Sequence, residues 1–92
     1  MHYTASKAAI VSFTRVVAKE VYSYGITCNV ISPSAIDTDL MKNVNKDALK
    51  DVLSRNAIPE IGKLEDVSNT IEWLIKSEIN AITGQTIYLG GV

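Results

Sequence analysis

One cysteine, one histidine, two prolines and no segregated block of charge are found in these 92 residues. A lone Cys28 excludes an internal disulfide, and with no ligand cluster around it the chain is expected to work in a reducing, cytoplasmic compartment. No grouping of His, Cys, Asp or Glu has metal-ligand spacing, so no metal is expected. No apolar run reaches the roughly 18 residues that a membrane helix needs, and no signal-peptide pattern stands at the start. Nine Lys and Arg are scattered among ten Asp and Glu, for a formal net charge of −1. That balance excludes the basic footprint of a nucleic-acid or anionic-membrane binder.

Apolar side chains, by contrast, are plentiful. They make up 47% of the residues, and mean hydropathy is +0.13. A chain of this length suits at most one small domain and buries only about 60–65% of its unfolded surface. The surplus points to apolar surface that faces a partner chain or a missing part of the same domain.

Residues 3–24 contain neither Pro nor Gly, and Gly25 then supplies a stop. On a helical wheel Ser12, Arg15 and Lys19 form a narrow wet strip. Ala5, Ala9, Ile10, Phe13, Val16, Val17 and Val21 cover most of the rest, which predicts a helix buried on two or more sides. "ITCNVIS", residues 26–32, is β-branched and ends at Pro33, as a short strand covered on both faces would. "PSAIDTD" reads as a loop in which Asp37, Thr38 or Asp39 caps a short helix, and Asn45 caps a second through Ser54, with Leu49, Val52 and Leu53 inward. Residues 64–77 form an amphipathic helix with Val67, Ile71, Leu74 and Ile75 on one face and Glu65 and Asp66 in its first turn. "ITGQTIYL" gives a Gly turn and a last strand over residues 86–89. Helix and strand in alternation predict the α/β class with a parallel strand pair. Such a pair is no independent sheet, so the first strand lacks a neighbour on its other side.

Chemistry concentrates in "YTASK", residues 3–7. Residues four apart on a helix share a face, so Tyr3 and Lys7 point into the same space. A free phenol is a poor acid–base group at neutral pH, but a neighbouring ammonium favours its phenolate form. Tyr3 then becomes a usable proton donor to a carbonyl or acceptor from an alcohol. Taken alone, the pair is equally an exposed couple at a helix start. Elsewhere, His2 reads as an exposed side chain and Cys28 as a packed thiol. Glu65 with Asp66, and Asp37 with Asp39, read as capping charges. Trp73 and Tyr88 fit an apolar interface as well as a core.

The ordered series "YTASKAAIVSFTRVVAKEVYSYGITCNVISPSAIDTD" and, later, "ITGQTIYLGG" resembles the C-terminal half of a short-chain dehydrogenase/reductase. Within that family it is most similar to the 3-oxoacyl-[acyl-carrier-protein] reductases. The resemblance covers essentially the whole chain, with Tyr3 and Lys7 on the Y-x-x-x-K motif. It implies the C-terminal part of a Rossmann-type doubly wound parallel sheet, a single partial domain whose N-terminal dinucleotide-binding half is absent. It further implies hydride transfer between NAD or NADP and a small-molecule or acyl-carrier-bound carbonyl substrate. Tyr3 would be the acid–base residue, and Lys7 would bind the nicotinamide ribose and acidify the phenol. Pro33 and Ile36 would shape the nicotinamide pocket, with Thr38 on the carboxamide or nearby phosphate. Members typically oligomerise through the long helix and the last strand, so a homo-oligomer or a missing half is the expected partner. The chain departs from the family pattern at Ser34, where a glycine is usual, and at Leu89, which runs directly into Gly90-Gly91. It also holds no glycine-rich phosphate-binding turn and no place for the catalytic serine or the helix asparagine. Alone, the 92 residues are expected to be inactive, or to serve as a non-catalytic, oligomerising remnant.

Overall fold

A computed structural model of the chain describes residues 2–34, 36 and 45–91, with side chains from residue 5 onward within those ranges. In chain order these form α1 (His2–Val21), a 3₁₀ turn (Tyr22–Tyr24), β1 (Val30–Ser32), α2 (Lys46–Leu53), α3 (Leu64–Leu74) and β2 (Thr86–Tyr88). β1 and β2 pair in a two-stranded sheet. The pairing is parallel, because partner numbers rise together: Val30 N donates to Gln85 O at 2.8 Å and Leu89 N to Ser32 O at 3.0 Å. The α/β class and the parallel pair are therefore present, while the sheet of the described residues stops at two strands and does not reach the doubly wound form. The chain divides into two compact units, Met1–Val30 with Trp73–Ile87, and Ile31–Glu72 with Tyr88–Val92.

In the first unit α1 packs through one stripe. Thr14 is 4% exposed and Ala18 3%, and Lys7, Val11 and Val21 are half-buried in the same helical register. The buried Thr14 hydroxyl donates to Ile10 O at 2.7 Å, which satisfies it inside its own helix. Gly84 lies against α1 near Ala18 and takes a left-handed φ of 69°, which favours glycine there. The 3₁₀ turn that continues α1 ends at Gly25, whose left-handed φ of 72° directs its N–H to Tyr22 O. The expected burial on two or more sides is not found. Ile10, Phe13 and Val16 form a second apolar stripe that is more than half exposed, because nothing among the described residues covers it.

The strand expected over residues 26–32 is shorter, for a local reason. Cys28 N donates to Thr83 Oγ1 at 3.1 Å, and Asn29 uses its side chain twice, donating to Ile82 O at 3.1 Å and accepting from Gln85 N at 3.0 Å. Ahead of Val30, side chains thus share the pairing with the backbone bond from Gly84 N to Cys28 O at 2.7 Å.

In the second unit α2 is capped by Asn45, whose side-chain oxygen accepts from Asp47 N at 2.9 Å and Ala48 N at 3.3 Å. Leu53 is buried and Leu49 half-buried, but Val52 faces outward. α3 begins with Asp66 reaching back to accept from Lys63 N at 2.9 Å, the return half of a capping box. It ends at Leu74 rather than Ser77. Its packed line is Val67, Thr70 and Leu74; Ile71 and Ile75 are exposed, so the expected face is shifted. The capping expected of Asp37, Thr38 or Asp39 falls outside the described residues.

Candidate active site

The unbroken helix from His2 to Val21 puts positions 3 and 7 one turn apart on the backbone. Lys7 is half-buried, in register with Val11, Thr14 and Ala18 on the stripe that packs against the rest of its unit. That register makes Lys7 part of a packed surface rather than of the wet strip. The side chain of Tyr3 and the whole of Thr38 lie outside the described residues, so the phenol–ammonium geometry and the place expected of Thr38 are not described.

Pro33 and Ile36 come together. Both line a cavity of about 190 Å³ in the second unit, whose walls also include Ser34, Ile58, Leu89 and Gly90. The lining is apolar on the Pro33, Ile36, Ile58 and Leu89 sides, with Glu60, Lys63 and Asp66 supplying charge among its other lining residues. Elementary strand geometry builds this cavity. The β1 ladder closes with Ser32 O accepting from Leu89 N, and Pro33 contributes no N–H to continue it. Ile36 then forms an isolated parallel bridge with Gly62, which draws the loop toward the start of α3. Ile58 N donates to Gly90 O at 2.9 Å and fixes the remaining wall.

Ser34 takes no left-handed conformation, since no described non-glycine residue has a positive φ. The loop at this point does not require glycine. Its hydroxyl instead accepts from Asn56 Nδ2 at 2.6 Å. Sequence reasoning passed over Asn56, an isolated amide in a polar turn with no periodicity to mark it. Among the described residues no three His, Cys, Asp or Glu side chains gather into a metal site, and Cys28 is a half-buried free thiol. No helix of the described residues is long and apolar enough to cross a membrane.

A family model described as "Enoyl-(Acyl carrier protein) reductase" matches residues 1–91. Among similar curated proteins, the 3-oxoacyl-[acyl-carrier-protein] reductase FabG of Buchnera aphidicola is 38% identical over 91 residues, 99% of this chain. The FabG proteins of Staphylococcus epidermidis and Escherichia coli K12 are 37% and 32% identical over 98% of it. In each case the chain spans 37% of the relative's length. A match from end to end, with the Tyr3 and Lys7 positions on an uninterrupted helix, places the chain in the short-chain dehydrogenase/reductase family.

Proposed function

We propose that the chain is the catalytic C-terminal portion of an NAD- or NADP-dependent oxidoreductase that interconverts a carbonyl and a secondary alcohol. The 3-oxoacyl group on an acyl carrier protein, which the relatives' names specify, is the substrate class that this reading favours. The observation that carries it is the helical spacing of Tyr3 and Lys7 within a family match over residues 1–91. Tyr3 would give its phenolic proton to the carbonyl oxygen, or take one from the alcohol. Lys7 would stabilise the phenolate that results.

The cavity suits the cofactor's reactive end. Pro33, Ile36, Ile58 and Leu89 offer apolar walls to the faces of a flat heteroaromatic ring, while Gly62 and Gly90 leave backbone at its edge. By the family resemblance Pro33, Ile36 and Thr38 would hold that ring and its carboxamide, and Lys7 would bind the ribose. Bound there, the nicotinamide supplies the hydride. No glycine-rich turn for the pyrophosphate lies within the 92 residues, so the chain by itself should neither bind NADH or NADPH at micromolar concentration nor turn over. The unpaired Cys28 thiol fits a cytoplasmic setting.

A second reading is favoured by the exposed Ile10, Phe13 and Val16 stripe: a single partial domain that acts as an oligomerising element without chemistry. One experiment separates the two. The chain is fused behind the segment of the E. coli relative that its match leaves uncovered, and 3-oxoacyl reduction is assayed with NADPH. Turnover is expected, and Tyr3→Phe should lower it by about 10²–10⁴-fold while cofactor binding persists. An inactive fusion that still binds NADPH, or a Tyr3→Phe fusion at full rate, would overturn the catalytic reading.

A further inference from the structure

We infer that Asn56 is a positioning residue, which acts through Ser34 to hold the Pro33–Ile36 wall of the cavity at a set distance from the glycines that follow β2. The inference rests on the reading of that cavity as the nicotinamide site.

Three segments meet at this point: the loop after β1, the turn after α2 and the residues after β2. Asn56 Nδ2 donates to Ser34 Oγ at 2.6 Å, a short bond between half-buried groups 22 residues apart in sequence. The pair sits directly over Gly90. A Cβ on Gly90 would lie 3.3 Å from Ser34 Cβ and 3.8 Å from both Ser34 Oγ and Asn56 Nδ2. Gly91 is held just as closely to Ala57, since a Cβ there would lie 2.7 Å from the Ala57 methyl. Ile58 N donates to Gly90 O at 2.9 Å, so residues 56–58 grip the post-strand glycines from two sides.

Among its described residues the loop has few other anchors. Its backbone is tied at Ser32, through Leu89 N, and again at the Ile36–Gly62 bridge. Pro33 between them has no N–H to give. Among the described residues of that interval the Ser34 side chain is the anchor, and Asn56 is what it grips. Asn56 does not line the cavity, whereas Ser34, Ile58 and Gly90 all do. It therefore acts from behind the wall, and its loss would let the Pro33 and Ile36 side chains drift without removing any group that touches a ligand.

Chemistry also supplies a rescue. A hydroxyl can donate or accept, so a carboxylate at position 56 keeps the bond with its direction reversed, whereas a methyl group cannot. The test uses the 92-residue chain, isotopically labelled, with two readouts. The first is amide hydrogen exchange at Ile58 and Leu89. The second is the affinity for reduced nicotinamide mononucleotide at millimolar concentration, followed by the shifts of the Gly90 and Ile58 amides. Asn56→Ala and Ser34→Ala should each speed exchange at these amides about tenfold and weaken the probe about tenfold, with α3 amides unchanged. The double variant should do no worse than either single one, and Asn56→Asp should restore both readouts.

Exchange that ignores Asn56→Ala overturns the inference, as does uniformly fast exchange in the unsubstituted chain. Exchange that responds while probe affinity does not would reduce Asn56 to a structural tether and overturn its positioning role. If the unsubstituted chain fails to bind the probe while the tether responds, the cofactor reading of the cavity has failed and the positioning role falls with it.

Discussion

Gly25 and Gly91 share a left-handed backbone, at φ 72° and 85°, but not the same surroundings. Nothing lies within 4 Å of a Cβ built on Gly25, whereas one on Gly91 would meet Ala57 Cβ at 2.7 Å. Gly25→Ala should therefore cost only the conformational penalty, about 1–2 kcal/mol, and Gly25→Asn less, because asparagine tolerates this region. Gly91→Ala adds a steric overlap that only backbone movement relieves, so its cost should exceed that of Gly25→Ala by 1 kcal/mol or more. Urea midpoints of the two variants, compared at equal slope, check the ordering. Ser34 is the complementary case. A side chain sits where the family resemblance leads one to expect glycine, and the structure accommodates it with an ordinary φ and a hydroxyl partner. What sequence could reveal at this scale was residue type against family pattern. What it could not reveal was the partner, because a single asparagine 22 residues away carries no local signal.

Elements were legible in proportion to how locally they are specified. α2 has only eight residues, too few to persist on propensity, and its start depends on Asn45 accepting from two backbone donors. Asn45→Ala should cost about 0.5–2 kcal/mol and lower helical ellipticity, while Asn45→Ser or Asn45→Asp should stay close to the original. Circular dichroism across a urea series reads both effects; an unchanged midpoint in Asn45→Ala would remove the cap from the account. That start, the Gly25 stop and the acidic first turn of α3 could all be read from neighbouring residues. The strand edges could not. β1 is cut short by side-chain bonds from Asn29 and Thr83, which are contacts between segments more than fifty residues apart. The end of α3 was overestimated because its apolar periodicity runs on to Ile75, although the backbone there loosens into three-residue turns, with Lys76 N on Trp73 O and Ile79 N on Lys76 O. Periodicity records which side chains are apolar, not what is available to cover them. For that reason α1 and α3 were placed correctly in sequence but assigned more inward residues than they have. Pro33 and Ile36 line one cavity, as near neighbours on one short loop can.

For the molecule as a whole, the described residues bury too little apolar surface for so hydrophobic a composition. Among the described residues each compact unit holds one buried hydrophobic residue, Ala18 in the first and Leu53 in the second. Fourteen large hydrophobic side chains among the described residues are exposed, and Phe13, at 68%, lies between Ile10 and Val16 on one stripe of α1. Full burial of such side chains contributes about 1.5–3 kcal/mol each, so covering this stripe would supply several kcal/mol, comparable to the total stability of a small domain. A surface of that value does not stay wet at high protein concentration. The chain spans 37% of its relatives' length, and whatever covers the stripe in a longer protein, the 92 residues alone should cover it with another copy. Sedimentation velocity is expected to show a weight-average mass that rises with concentration over the micromolar to millimolar range. Phe13→Glu would bring an unpaired carboxylate to the middle of that contact and should weaken association at least tenfold, whereas Arg15→Glu, on the wet strip, should change it little. Equal effects from both substitutions would show that net charge, not this stripe, governs association. A chain that remained monomeric throughout would show that this stripe drives no self-association.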